Sequence, residues 1–359
     1  MLTPYLPFPL LSGGQIRTYN LLKKLKDKYK ITLFSFIRQE KEKIYIKELE
    51  KFCLKVKVFK RRPAWDLRNI LMAGFSPLPF VMISTYLSKT ARDAIKEELE
   101  NFSYDLIHAE PFYMAPNIPS TKIPILLVEQ TIEYLVYKKY ADNFSRNFLK
   151  PLMYFDVLKL KFWEEYYWRK ATSLVAMSEE DKRIMSKAAP KQTIDIVANG
   201  VDINFFTKTR VKRPEVPTVL FVGNFKWLPN KDAAKFLTYD IWPKIKKKIP
   251  QAKLWIVGKN PTPEILNLSK KKDVLMESNI KDIRDAFGQA SILLAPIRNG
   301  RGTKYKVLES MAARLPVVTT PLGIEGIDAQ DKKQVLIAEN AEDLAEKAVM
   351  LLKKPQLEE

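Results

Sequence analysis

Short apolar runs recur along the chain at the spacing of strands separated by helices. In the first half they are ITLFSF (31–36), LKVKVF (54–59), YDLIHA (104–109), IPILLVE (123–129) and TSLVAM (172–177). In the second half they are TVLFVGNF (218–225), AKLWIVG (252–258), DVLMES (273–278), ASILLAP (290–296) and the brief Pro316–Val318. Runs this short, rich in branched and aromatic residues, predict buried strands. Helix-length segments separate them. Residues 12–29 place Ile16, Tyr19, Leu22 and Leu25 on one face, and Ser12 with Gln15 predicts a capping box. Strand–helix alternation predicts parallel sheets with right-handed crossovers, an α/β fold. A length of 359 residues predicts two domains. The polar, proline-containing stretch 207–217 is the expected linker, leaving domains at 1–206 and 218–359.

One strand–loop–helix unit concentrates the chemistry. After ASILLAP comes a loop, Ile297 to Gly302, with two glycines and two arginines, then a predicted helix from Thr303 to Ala313. A glycine-containing loop that opens a helix brings backbone N–H groups and the positive dipole end together, an arrangement suited to phosphate. Thr303 is the expected cap, and Arg301, Lys304 and Lys306 add full positive charge. Basic residues at a helix start oppose the dipole, so a bound anion explains them better than solvent does. Glu309, further along the same helix, is placed to accept hydrogen bonds from ribose hydroxyls.

Composition narrows the partners. The net charge of +20 favours phosphate-rich ones: nucleotide, lipid diphosphate, anionic membrane or nucleic acid. A single cysteine, Cys53, excludes an internal disulfide and suits a reducing compartment. A single histidine, His108, excludes a histidine-rich metal site, and no Asp-x-Asp motif is present. His108 and Glu110 close one predicted strand and Glu129–Gln130 another, and open α/β sheets bind ligands at the carboxyl ends of their strands. The uncharged stretch Asn69 to Ser88 reaches a membrane-spanning length, but its glycine, prolines and hydroxyls argue against a spanning helix.

The segment 300–318 resembles the donor-binding motif of the retaining glycosyltransferases of family 4. Glu309, Ser310, Met311, Ala312, Ala313 and Pro316-Val317-Val318 match its second half, and Gly300, Gly302, Thr303, Lys304, Lys306 and Leu308 match the form of one branch. Where the motif usually opens with a first glutamate, this chain has Arg301. The resemblance implies the GT-B architecture, two Rossmann-like domains with parallel sheets facing across a cleft, and reads both termini as shortened. It implies that Gly13 and Gly14 lie beside the donor phosphates, and that the Asn-Gly-Val-Asp element at 199–202 falls near the end of the first domain. It also implies that Gly223 closes the first strand of the donor domain. Relatives follow that glycine with an arginine; here Asn224 stands there, and Lys226 or Lys231 is the expected cation. Relatives place a histidine near Gln130, in an element whose remainder here is Thr131, Ile132 and Glu133. Glutamine donates a hydrogen bond but does not act as an acid or base.

The resulting expectation is an enzyme, a retaining hexosyltransferase that uses a nucleoside-diphosphate sugar and no metal or other cofactor. Gly13, Gly14, Gly223, Asn224, Lys226, Lys231, Gly302, Thr303, Lys304, Lys306 and Glu309 are its donor residues. Lys304, Arg301 and His108 are its catalytic candidates, and His108, Gln130 and Glu133 face the acceptor. The acceptor is expected to be a glycan or lipid-linked glycan of a surface polysaccharide or lipopolysaccharide. The location is expected to be the cytoplasm, with two readings: attachment at the inner face of the membrane, where the aromatic helix predicted after Pro151 and the Asn69–Ser88 stretch meet anionic lipid, or a soluble enzyme with a small-molecule acceptor, whose aromatic helix covers the domain. Two rivals remain: an inactive nucleotide-sugar-binding homologue, and a basic nucleic-acid-binding protein. Nucleic acid is not expected, because the lysine runs occupy the polar positions of amphipathic helices.

Overall fold

A computed structural model of the chain describes residues 1–63, 76–144, 146–209, 211–212, 214–278, 280–300 and 302–353. It divides into two compact units, Met1–Ala198 and Asn199–Glu359.

The first unit is built on a seven-stranded sheet, all of whose pairs are parallel, in the order β3-β2-β1-β4-β5-β6-β7. The strands are β1 (Leu2–Thr3), β2 (Thr32–Ile37), β3 (Lys55–Lys60), β4 (Ile107–Ala109), β5 (Ile125–Val128), β6 (Ser173–Ala176) and β7 (Thr193–Ile196). Every residue of β2 is buried, as expected of a strand covered on both faces. One face carries a core of Phe36, Ile95, Phe112, Leu127, Leu160 and Trp168. The opposite face carries Leu6, Leu22, Leu33, Ile37, Leu49 and Cys53. Helix α1 (Gly13–Leu25) begins after Ser12, whose hydroxyl accepts the Gln15 amide. The Gln15 side chain meets the Leu11 amide and the Leu6 carbonyl, so half of the predicted capping box forms. Helices α2 (Lys89–Asn101), α3 (Glu133–Asp142), α4 (Lys150–Lys170) and α5 (Glu179–Ala188) complete the unit. The predicted strand at 104–109 is three residues long, and the Tyr104 hydroxyl ahead of it hydrogen-bonds to Glu98 and Thr32, both at 2.9 Å.

The second unit holds a six-stranded parallel sheet in the order β10-β9-β8-β11-β12-β13. These are β8 (Thr218–Val222), β9 (Lys253–Val257), β10 (Val274–Glu277), β11 (Ile292–Ala295), β12 (Val317–Thr319) and β13 (Leu336–Ile337). Its helices include α6 (Leu228–Phe236), α7 (Trp242–Lys248), α8 (Tyr305–Ala312) and α9 (Ala341–Lys353). Residues 199–206 pack here rather than with the first unit. Asn199 donates to Thr303 at 3.2 Å, and the Phe206 ring lies 6.0 Å from Phe287 within the second core. The boundary therefore falls before Asn199, ahead of the predicted linker.

In both units the strand order is 3-2-1-4-5-6, with a seventh strand in the first, which is the doubly wound Rossmann pattern. The predicted GT-B class, two Rossmann-like parallel sheets, is observed. The order reverses between β1 and β4 in one unit and between β8 and β11 in the other, and such switch points are where these sheets take ligands.

Candidate functional site

In the second unit the loop after β11 and the loop after β8 meet at the switch point. Several contacts pin the β11 loop. Thr319 and Thr320 donate their hydroxyls to the Ala295 and Ile297 carbonyls, at 2.7 and 2.5 Å. Arg298 grips Asp232 of α6 with two nitrogens, at 2.7 and 3.2 Å, and its guanidinium lies 3.9 Å over the Phe236 ring. Asn299 reaches the same carboxylate. Gly300 and Gly302 have φ of +99° and +81°, left-handed values that glycine adopts without strain. The loop can turn so sharply into α8 because of those two residues. Arg301, between them, lies outside the described residues.

Helix α8 starts at Tyr305, with Lys304 in the cap position and no side-chain cap. The predicted cap, Thr303, is otherwise engaged: its hydroxyl accepts from Asn199, whose side-chain oxygen accepts in turn from the Tyr305 hydroxyl at 3.0 Å. The Lys304 amine folds back on the Gly302 carbonyl at 2.5 Å and sits 3.4 Å from Glu325. Lys306 points elsewhere. Its amine donates to Asn230 Oδ1 at 2.7 Å and lies 4.4 Å from the Phe221 ring centroid. Asn230 also donates to the Asn224 carbonyl at 2.9 Å. One asparagine of α6 thus ties the β8 loop to α8 across the switch point.

Lys306 and Glu309 keep a minor part of their surface accessible while protein crowds the rest. Burial brings the Lys306 amine down from 10.5 to about 7, with Glu309 opposing the shift and Lys304 adding to it. Burial pushes the Glu309 carboxyl up to about 7, with Lys306 opposing. Each charge is desolvated, and each is the other's main compensation. Of the remaining donor residues, Gly223 bonds the Val257 carbonyl at the end of β8, and Asn224 turns its side chain onto the Lys226 amide and Asn260. Lys226 is exposed, and Lys231 is half-buried on the first turns of α6.

In the first unit a polar chain runs beneath α1. The Tyr5 hydroxyl donates to Gln130 Oε1 at 3.3 Å, Gln130 to Thr18 at 3.4 Å, and Thr18 to Glu110 at 3.0 Å. Arg17 stands 3.5 Å from Glu110 and donates to the Ala198 carbonyl. Gly14 makes this approach possible: a Cβ there would lie 1.9 Å from the Tyr5 oxygen and 2.4 Å from Gln130 Oε1. Gly13 is the first residue of the helix.

Glu133 opens α3 beside a set of tyrosines. Its carboxyl is pushed up to about 7 by burial. Tyr86 and Tyr113 stack with ring centroids 4.3 Å apart. Burial raises the Tyr113 and Tyr137 hydroxyls, and Glu133 reinforces both shifts. The amino end of α3 is capped from outside by the buried Glu164 of α4, whose two oxygens accept the Glu133 and Tyr134 amides at 2.8 and 2.9 Å. Sequence reading missed Asn199, Asn230, Glu164 and the tyrosines. Asn199 carried a signal in its Asn-Gly-Val-Asp element; the others carry none, because their partners are distant in the chain. Glu129, expected to face a ligand, is instead buried and accepts the Trp168 indole N–H at 2.8 Å. His108 is the middle residue of β4. Its Nε2 is buried without a hydrogen-bond partner among the described residues, and burial lowers its pKa, with Glu110 opposing. It takes no part in the Tyr5–Gln130–Thr18 hydrogen bonds.

A phosphate-suited loop and helix, with a lysine–glutamate pair beside them, thus stand at the switch point of the second sheet. Residues 216–354 match the family of glycosyl transferases group 1. The match lies within the second unit. Across most of the chain, a Klebsiella pneumoniae protein described as an uncharacterized 44.6 kDa protein in the cps region is 23% identical, covering 92% of this chain and 85% of that protein. Among solved structures, Anabaena HepE in complex with UDP-glucose superposes with a TM-score of 0.61 at 14% identity, covering 99% of this chain and 90% of HepE. WaaG, a glycosyltransferase involved in lipopolysaccharide biosynthesis, gives 0.60 at 13% identity, covering 99% and 91%. TarM gives 0.57 at 14% identity, and this chain spans 52% of TarM's length. At these identities the structural likeness establishes the fold, GT-B.

Proposed function

We propose that the protein transfers a hexose from a nucleoside-diphosphate sugar to a glycan or lipid-linked acceptor, with retention of configuration and without a metal ion. The observation that carries this reading is the Lys306–Glu309 pair, joined through Asn230 to the β8 loop at the switch point of a domain that matches the family. In the reaction, negative charge grows on the departing diphosphate. Donors already aimed at that charge lower the barrier most. Lys306 supplies a cation there once an anion beside it restores its proton. Lys304 exchanges the Gly302 carbonyl for a phosphate oxygen, and the amino end of α8 adds its dipole. Arg301, Lys226 and Lys231 supply further charge along the loops, and Glu309 accepts from the ribose. Among the described residues no three acidic, histidine or cysteine side chains cluster as a metal site would require.

On the acceptor side, Gln130, Glu133 and the tyrosines around them offer hydroxyls and aromatic faces, which suit a sugar ring with its polar edge and apolar face. The pathway we favour is surface polysaccharide or lipopolysaccharide assembly at the inner face of the membrane. The net charge of +20 and the likeness to WaaG, involved in lipopolysaccharide biosynthesis, and to the cps-region protein support it.

A thermal-shift and calorimetric screen of UDP, GDP and ADP tests the donor site, followed by turnover of the matching nucleotide sugars and NMR of the product anomer. Binding with no transfer and no hydrolysis from any nucleotide sugar would leave the inactive homologue. Absence of nucleotide binding altogether would sink the donor assignment.

A further inference from the structure

Helix α4 buries Val157, Leu160, Glu164 and Trp168 against the first core. Its opposite side is apolar as well. Phe148, just before the helix, and Leu152, Phe155, Leu158 and Phe162 within it are between 53% and 77% exposed. Their spacing of three and four residues aligns them on the outward side of the helix, along a stripe about 20 Å long. A solvent-facing helix ordinarily carries polar residues there.

The charges around the stripe are mostly basic, and the one acid left to solvent, Glu165, pairs with Lys161 and Arg169. Lys159, Arg169 and Lys170 share the stripe's side of the helix, and Arg146, Lys150 and Lys161 add to the basic count of the segment, against Asp156, Glu164 and Glu165. Of those acids, Glu164 is buried in capping α3, and Asp156 accepts the Phe80 amide at 2.9 Å. Lys159 lies 4.7 Å over the Phe155 ring, so apolar and cationic groups are interleaved. Trp163, Tyr166 and Tyr167 cluster at the far end, with Trp163 and Tyr167 resting against the first core and the Trp163 indole donating to the Pro77 carbonyl at 2.9 Å. Among the described residues no helix is long and apolar enough to cross a membrane.

We propose that the outward stripe of α4 lies on an anionic bilayer, its phenylalanines and leucines entering the headgroup region and its lysines and arginines pairing with lipid phosphates. Two copies of a surface this basic repel each other, which argues against self-association through it. An anionic lipid face satisfies both the apolar stripe and its basic flanks. The proposal deepens the membrane-face part of the proposed function and is independent of the donor chemistry.

The test is co-sedimentation of the full chain with phosphatidylglycerol–phosphatidylcholine vesicles and with phosphatidylcholine alone, at low and high salt. Binding is expected only to the anionic vesicles and is weakened by salt. The double variant Phe155→Ser, Phe162→Ser is expected to bind on the order of tenfold more weakly or worse, since each ring loses its apolar transfer. Both rings face outward, so its melting temperature and nucleotide affinity should match the parent's. A second variant, Arg169→Glu with Lys170→Glu, should lose the preference for anionic lipid. Full binding by both variants, or none by the parent at low salt, overturns the proposal. So does a parent dimer in solution that the phenylalanine variant dissolves. Nucleotide calorimetry on the same samples reports separately on the donor site.

Discussion

Replacing Lys306 with methionine should stabilise the protein and weaken its hold on nucleotide. The amine is brought from 10.5 to about 7, chiefly by burial. At about 1.4 kcal/mol per pH unit, that places up to about 5 kcal/mol against the charged form at neutral pH. Methionine fills much the same volume without a charge to desolvate. It leaves the Asn230 oxygen without its donor, a loss of about 1–3 kcal/mol, and removes Glu309's compensating cation. Glu309 then takes up a proton instead. The net gain is about 1–2 kcal/mol, a melting rise of about 2–8 °C for a domain of this size. Nucleotide affinity should move the other way. A charge-assisted hydrogen bond to the diphosphate contributes about 1.5–3 kcal/mol, so UDP or GDP should bind roughly 10- to 150-fold more weakly by calorimetry. Such opposed signs are the usual mark of a strained functional group. A lower melting temperature together with unchanged nucleotide affinity would show that Lys306 is structural.

Three further outcomes are expected. In a Glu309→Gln variant, which removes the neighbouring carboxyl raised to about 7, the Lys306 amine alone should take up protons when nucleotide binds, and binding should be tighter at low than at high pH. Calorimetry at pH 7.5 in buffers of different ionisation heat reads the uptake directly, and proton release would contradict the assignment. Gly14→Ala forces Tyr5 and Gln130 off α1, so transfer to acceptor should drop on the order of a hundredfold while nucleotide affinity stays unchanged. Loss of nucleotide affinity in that variant would instead place Gly14 beside the donor, as the family resemblance implies. Turnover should survive EDTA, since the cations needed by the leaving diphosphate are side chains. Strict dependence on added magnesium or manganese would refute that part of the mechanism.

The Lys306–Glu309 pair shows why such a site keeps an unfavourable arrangement. Side by side at i and i+3, the two groups are each other's first electrostatic partner. Both sit near the midpoint of titration, so an approaching diphosphate shifts the lysine strongly and an approaching ribose meets a carboxylate. A lysine in open solvent would already be fully charged and paired with water.

Much of this molecule follows from local pattern. Alternating apolar runs and helix-length segments predicted parallel α/β domains because a strand buried on both faces is apolar nearly throughout: β11 is wholly so, and β2 is but for Thr32 and Ser35. The β11 loop was readable because its glycines, at positive φ, and the lysines beyond them meet local demands of backbone and charge. Other features depend on residues that meet only in three dimensions. Asn230 becomes the joint of the donor loops because β8 and β11 are neighbours in the sheet, although 69 residues separate the end of one strand from the start of the other. Lys304 and Lys306 look equivalent in the sequence, yet one turns to Glu325 and the other to Asn230, which the helix start decides. Glu129 and Gln130 are chain neighbours with opposite fates, since successive side chains near a strand end point to opposite sides, one to Trp168 and one to Tyr5. Helix α4 is apolar on nearly every side, so its periodicity alone could not say which face the core would take; packing against the sheet assigned that face and left the other exposed.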